Sequence, residues 1–168
     1  MPAPVLEATI AWGDPKIIYA NRDRIDLLEL FRAMMRGELP HEPAMAMLGV
    51  RLLSVERGEV VMALEPGPEH CDHHGRVHGG ILAAIADTAA GYAIHTKLAL
   101  GWTAATLELH QGFVQPVTLE SGRLTCIGRV THLGRRTAVA EADITDAKGE
   151  LCARMGTTMI VRPPKEGS

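Results

Sequence analysis

Hydrophobic and polar positions change rhythm along the chain, and each rhythm predicts a different element. In "RDRIDLLELFRAMMR", residues 22–36, side chains fall near helical spacing at Ile25, Leu28, Phe31 or Arg32, and Met35. That spacing predicts an amphipathic helix. Asn21 or Asp23 can cap its start and Gly37 can end it. The two prolines of "GELPHEP" (Gly37–Pro43) then break the chain, marking a joint between an N-terminal extension and the main domain. Beyond the joint, "MLGVRLLSVERGEVVMALEP" reads as two short strands around a turn at Glu56–Gly58. A polar loop, Gly67–Val77, leads into a segment from Gly79 to Lys97 that is apolar on nearly every side, the pattern of a buried helix. Four strands are expected after it: Ala104–Phe113, Gly122–Thr131, Thr137–Thr145 and Leu151–Val161. The turn signals "QPVTLESG", "HLGRR" and "DAKG" separate them, and Ala138, Ala140, Ala142 and Ile144 share one face of the third. The tail "RPPKEGS" is expected to fray. Two strands, one long buried helix and four strands describe an α+β fold with an antiparallel sheet wrapped around a long central helix.

Composition narrows the function classes. The 168 residues fit one domain with an extension. A formal net charge of −3 leaves no basic excess to neutralise phosphates, so no nucleic-acid partner is expected. The apolar segment 79–94 is short for a bilayer span and carries Asp87 near its middle, so no membrane partner is expected either. Cys71, Cys126 and Cys152 form no CxxC pair, and the N-terminus shows no secretory pattern. Both point to a cytoplasmic setting without disulfides.

Three features carry chemistry. "HCDHHGRVHGG" (His70–Gly80) holds four of the eight histidines. His73 and His78 lie five apart across a glycine, and no second cluster completes a shell, so no metal is expected there. His78-Gly79-Gly80 opens the buried helix. Glycines there leave N–H groups bare at the positive end of the helix dipole, which suits a developing oxyanion or a phosphate, or marks a tight entry turn. Asp87 lies on an apolar face among Ala83, Ala84, Ala90 and Gly91. A carboxylate there is costly unless backbone donors or an arginine satisfy it, or chemistry uses it.

"GRVHGGILAAIADTAAGYA", "TLELHQGFVQPV" and "GRVTHLGRRTAVAEADITDAKGELCARMGTTMIV" together resemble the hotdog-fold acyl-CoA thioesterases of the PaaI-like, 4-hydroxybenzoyl-CoA thioesterase type. The resemblance covers about Leu39 to Val161. It implies residues 1–38 as an N-terminal helical extension, 39–162 as a hotdog thioesterase domain and 163–168 as a tail. It further implies hydrolysis of an acyl-CoA partner to free acid and CoA, with no cofactor. A homodimer would be the minimal unit, with active sites at its interface, and dimers would pair into tetramers. By position in the family motif, Asp87 is implied as nucleophile or general base, and Gly79 as the residue whose N–H polarises the thioester carbonyl. His78 is implied to set the loop, Thr106 to orient water, and Gly80 to line the site. Gly134, Arg135 and Arg136 are implied to meet the CoA phosphates. The chain departs from the family at one point: Asp72 stands where Asn or Gln is usual. An ionised Asp only accepts hydrogen bonds, so it is expected to orient water by accepting from it. A protonated Asp72, or a compromised site, are the other readings. Acyl-CoA hydration is a weaker rival, because that chemistry uses other motifs. A non-catalytic acyl-CoA-binding protein is the alternative on the same fold.

Overall fold

The computed structural model describes residue 7 and residues 9–21 and 24–164. In chain order the elements are α1 (Lys16–Asn21), α2 (Leu27–Met35), α3 (Pro43–Met47), β1 (Arg51–Glu56), β2 (Glu59–Leu64), α4 (Gly79–His95), β3 (Thr103–Phe113), β4 (Leu124–Leu133), β5 (Thr137–Thr145) and β6 (Leu151–Arg162). The strands form one sheet in the order β1-β2-β4-β5-β6-β3, and every pairing is antiparallel. The central helix α4 lies against the sheet's inner face, as the all-apolar segment requires: Ile85, Ala86, Ala89, Ala90, Ala93 and Ile94 are all buried.

Two positions show how closely helix and sheet approach. A Cβ built on Gly128 of β4 would collide with the Ala89 carbonyl and lie 2.6 Å from the Ala90 nitrogen. The alternating Ala138, Ala140, Ala142 and Ile144 of β5 fill the inner face beside it, each no more than 1% exposed. This is the hotdog arrangement, a sheet wrapped around one helix.

The N-terminal half departs from the expected pattern. The single helix expected over 22–36 is shorter: α2 begins at Leu27, and Asp26 caps it by accepting from the Leu28 N–H at 2.9 Å. Asn21 instead ends a separate helix, α1, and Asp23 lies outside the described residues. Gly37 does stop α2, at φ 76°. The buried face of α2 is Leu28, Leu30, Phe31 and Met34, with Met35 exposed and Arg32 paired to Glu29 and Glu56. Phe31 sets that register by stacking on Tyr92 of α4 at 4.0 Å. The joint is itself partly helical, with Pro43 opening α3, where a missing N–H is harmless. On the other side, β4 starts at Leu124 rather than Gly122, because Gly122 takes φ 66° in the turn after the 3₁₀ segment Leu119–Ser121.

β3 is an edge strand, bonded to β6 on one side only. It and its extension leave Leu107, Leu109, Phe113 and Val114 exposed. A long apolar edge of this kind is a template for another strand.

Candidate active site

The loop His70–Val77 aims the start of α4. His70, alone among the loop's histidines, is buried. Its Nδ1 accepts from the Gly67 N–H at 2.8 Å, so its Nε2 carries the proton toward the Leu48 carbonyl 3.2 Å away. The His70 carbonyl in turn accepts from the His78 N–H, and the Val77 N–H reaches the Val117 carbonyl. His73 and His74 are exposed, and no group of three or more metal-ligating side chains forms among the described residues.

His78 is the N-cap of α4, and its Nδ1 accepts from the Gly80 N–H at 2.9 Å. Of the two N–H groups expected to be bare, Gly80's is therefore taken. Gly79's has no acceptor among the described residues and points from the positive end of a 17-residue helix. The Phe113 ring packs against Gly79: a Cβ there would lie 2.8 Å from Phe113 Cζ. Gly79, Phe113, Leu82, Pro116, Arg76 and Asp72 border a cleft of about 420 Å³.

Asp72 holds the loop together. Its Oδ1 accepts from the backbone of His74 at 2.8 Å and of Arg76 at 3.1 Å, and its Oδ2 faces the Arg76 guanidinium at 3.3 Å. These donors, the Arg76 N–H first, hold its carboxyl below the ordinary range, which argues against a protonated Asp72 standing in for an amide.

Asp87 and Thr106 meet. Thr106 lies on the inner face of β3 and donates from Oγ1 to Asp87 Oδ1 at 2.9 Å. Asp87 has no arginine partner among the described residues and is half-buried, and Thr106 is exposed. Gly79 and Asp87 are eight residues apart on α4, or roughly 12 Å at the helical rise. One chain therefore carries a bare donor and a tethered carboxylate at two separate places. Between them on the inner face of β3, the Gln111 side chain buries both polar atoms with no partner among the described residues. The sequence signal for it was a polar residue at an inward position of an alternating strand.

Gly134, Arg135 and Arg136 form the β4–β5 turn, where the Gly134 N–H bonds the Thr137 carbonyl. Both arginines are exposed and neither has an acidic partner among the described residues. They line a shallow cleft with Trp102, at the end of the sheet where β3 begins. Cys71, Cys126 and Cys152 are free thiols. No helix among the described residues is long and apolar enough to cross a membrane.

Known proteins match this architecture. The family profile of the thioesterase superfamily, 4HBT, matches residues 74–153. The acyl-coenzyme A thioesterase PaaI of Escherichia coli is 30% identical over 108 residues, covering 63% of this chain and 73% of that protein. The 1,4-dihydroxy-2-naphthoyl-CoA hydrolase of Listeria monocytogenes is 25% identical, covering 71% of this chain and 95% of that one. The solved structure of a mutant phenylacetic acid degradation protein PaaI from Thermus thermophilus is 32% identical, with a TM-score of 0.65 over 71% of this chain and 98% of that one. A fold, a family profile and relatives of this extent agree: the chain belongs to the thioesterase superfamily of thioester hydrolases, beside the PaaI-like hotdog thioesterases.

Proposed function

We propose that the protein hydrolyses acyl-CoA thioesters in a homodimer, with Asp87 as the base or nucleophile and the Gly79 N–H as the carbonyl-oxygen donor. The observation that carries this reading is the Thr106–Asp87 hydrogen bond at 2.9 Å, on the same helix whose first N–H is unpartnered. Thr106 fixes one carboxylate oxygen and leaves Asp87 Oδ2 to act. The thioester carbonyl accepts from Gly79, where the helix dipole and a preset donor favour the charge that builds on oxygen. Asp87 takes a proton from water as the water oxygen bonds to the carbonyl carbon. The tetrahedral centre then collapses, the C–S bond breaks, and the CoA sulfur leaves with the proton returned to it. Direct attack by Asp87 would give a mixed anhydride that water resolves to the same acid.

A second copy completes the site in this reading. The roughly 12 Å between Gly79 and Asp87 in one chain is too far for both to touch one carbonyl. Pairing of β3 edges would cover Leu107, Leu109 and Phe113 and bring one chain's Gly79 toward the other's Asp87. Arg135 and Arg136, without an acidic partner among the described residues, suit the CoA phosphates, and dimers can pair further into tetramers. Asp72 serves through the loop, not by touching the carbonyl. The free thiols suit a reducing cytoplasm. The test is CoA release over an acyl-CoA panel. Asp87→Asn should reduce kcat by about 10²–10⁴ on the best substrate, and a near wild-type rate would refute the assignment. Saturable binding of the panel without any turnover would favour the non-catalytic alternative.

A further inference from the structure

A cavity of about 560 Å³ lies between the N-terminal helices and the far end of α4. Its size falls in the range of about 300–1,000 Å³ typical of small-molecule pockets. It lies beyond the Asp87–Thr106 pair along α4 and β3, and neither of those two residues lines it. Ala104, in its wall, is the next inward-facing residue along β3 from Thr106. Tyr92 and His95, also in its wall, follow Asp87 on α4 by five and eight residues, roughly 8 and 12 Å further along the helix.

The lining is largely hydrocarbon, with Glu42, Tyr92, His95 and Thr103 as its polar side chains. Leu27, Leu30, Phe31 and Met34 of α2 form one side and Trp102 another. Two of its polar side chains bond each other and a third bonds the backbone. The Tyr92 hydroxyl donates to Glu42 Oε2 at 3.1 Å. His95 Nδ1 donates to the Gly91 carbonyl at 2.7 Å and its Nε2 accepts from the Ala104 N–H at 3.3 Å. Among the described residues no lysine or arginine lines the cavity to receive a charged acyl terminus. Nine of the fourteen lining residues, Pro15 to Ala44, precede the residues 74–153 matched by the family profile.

Resting on the thioesterase reading above, we propose that this cavity is the acyl pocket and that it takes an uncharged hydrocarbon acyl group of medium length. The N-terminal extension is then the specificity element of the enzyme. The test compares kcat/KM for acetyl-, octanoyl-, phenylacetyl- and succinyl-CoA on the full chain, in wild type and in Ala44→Phe and Leu27→Trp. These variants fill the cavity from α3 and α2 respectively. Wild type should favour octanoyl- over acetyl- and succinyl-CoA by about tenfold or more. Each filling variant should lose about tenfold on octanoyl-CoA while acetyl-CoA stays within about twofold, which also shows that the variant is folded. The phenylacetyl arm separates a chain from a ring: a ring preferred over the chain overturns the assigned acyl class. Equal losses on acetyl- and octanoyl-CoA with circular dichroism unchanged, or no loss on octanoyl-CoA, overturn the pocket. Binding separates this proposal from the activity. In a Trp12→Phe background, the non-hydrolysable thioether S-decyl-CoA should quench Trp102 fluorescence saturably, and Ala44→Phe should abolish the quench. That result supports the pocket even if no acyl-CoA is turned over, whereas no quench overturns it.

Discussion

Thr106→Val removes one hydrogen atom's worth of chemistry from the candidate site. Valine keeps the β-branched shape that suits a strand, and only the hydroxyl is lost. The structure gives that hydroxyl one partner, Asp87 Oδ1 at 2.9 Å. A hydrogen bond to an ionised group contributes about 1.5–3 kcal/mol, which corresponds to roughly 10- to 150-fold in rate. Thr106 is exposed in the single chain, so water can replace part of the bond, and the lower end, about tenfold, is expected. The loss should fall on kcat, with KM for acyl-CoA little changed, because the hydroxyl orients the carboxylate and not the bound thioester. Thr106→Ser should restore most of the rate. The decisive assay is a double-mutant cycle: once Asp87→Asn has removed the carboxylate, adding Thr106→Val should cost nothing further. Two losses that simply multiply would show that Thr106 acts on something other than Asp87.

Asp72→Asn should leave kcat/KM within about threefold, since one carbonyl oxygen can still accept the His74 and Arg76 N–H groups that Oδ1 accepts now. A collapse would show that the carboxylate itself is needed. Gly128→Ala should destabilise the fold by about 3 kcal/mol or more in urea unfolding, because the new methyl meets the α4 backbone and not a movable side chain. A loss of under about 1 kcal/mol would mean that helix and sheet are less closely seated. Burial pushes the His95 imidazole below its ordinary 6.5. Below that pH the unfolded chain binds a proton that the native chain refuses, so stability falls as pH drops through and below 6.5. His95→Gln should flatten that slope between about pH 7.5 and 5.5, read from urea midpoints.

How much was legible depended on whether the signal was periodic or distant. The strand Thr137–Thr145 was readable to the residue because Ala138, Ala140, Ala142 and Ile144 repeat every second position and all face the helix. The start of α4 was readable because His78 and two glycines make a local cap. The start of α2 was not, because Asn21, Asp23 and Asp26 all have cap chemistry and only tertiary contact chooses among them. Arg57, 31 residues away, holds the chosen Asp26 at 2.8 Å. Asp87 stood out as a carboxylate on an apolar helix face and Thr106 only through the resemblance, but their hydrogen bond was not legible, since a threonine and an aspartate 19 residues apart carry no periodic signal. The cavity was invisible for the same reason: the Tyr92–Glu42 bond in its wall joins residues 50 apart.

The stretch His70–Gly80 shows why its polar residues need not all be chemical. His70 braces the loop against Gly67 and Leu48, Asp72 ties back His74 and Arg76, and His78 takes the Gly80 N–H. Each consumes a backbone donor or acceptor that the loop would otherwise leave unpaired. The Gly79 N–H is left over, and its position is fixed by all of them. The Asp72 side chain serves this loop only as an acceptor: each of its hydrogen bonds is from an N–H of the backbone or of Arg76. Oxygen is the atom those contacts require, and a carboxylate supplies two where an amide supplies one. The departure from the family residue therefore falls on the support of the Gly79 donor, where Asp serves at least as well as Asn.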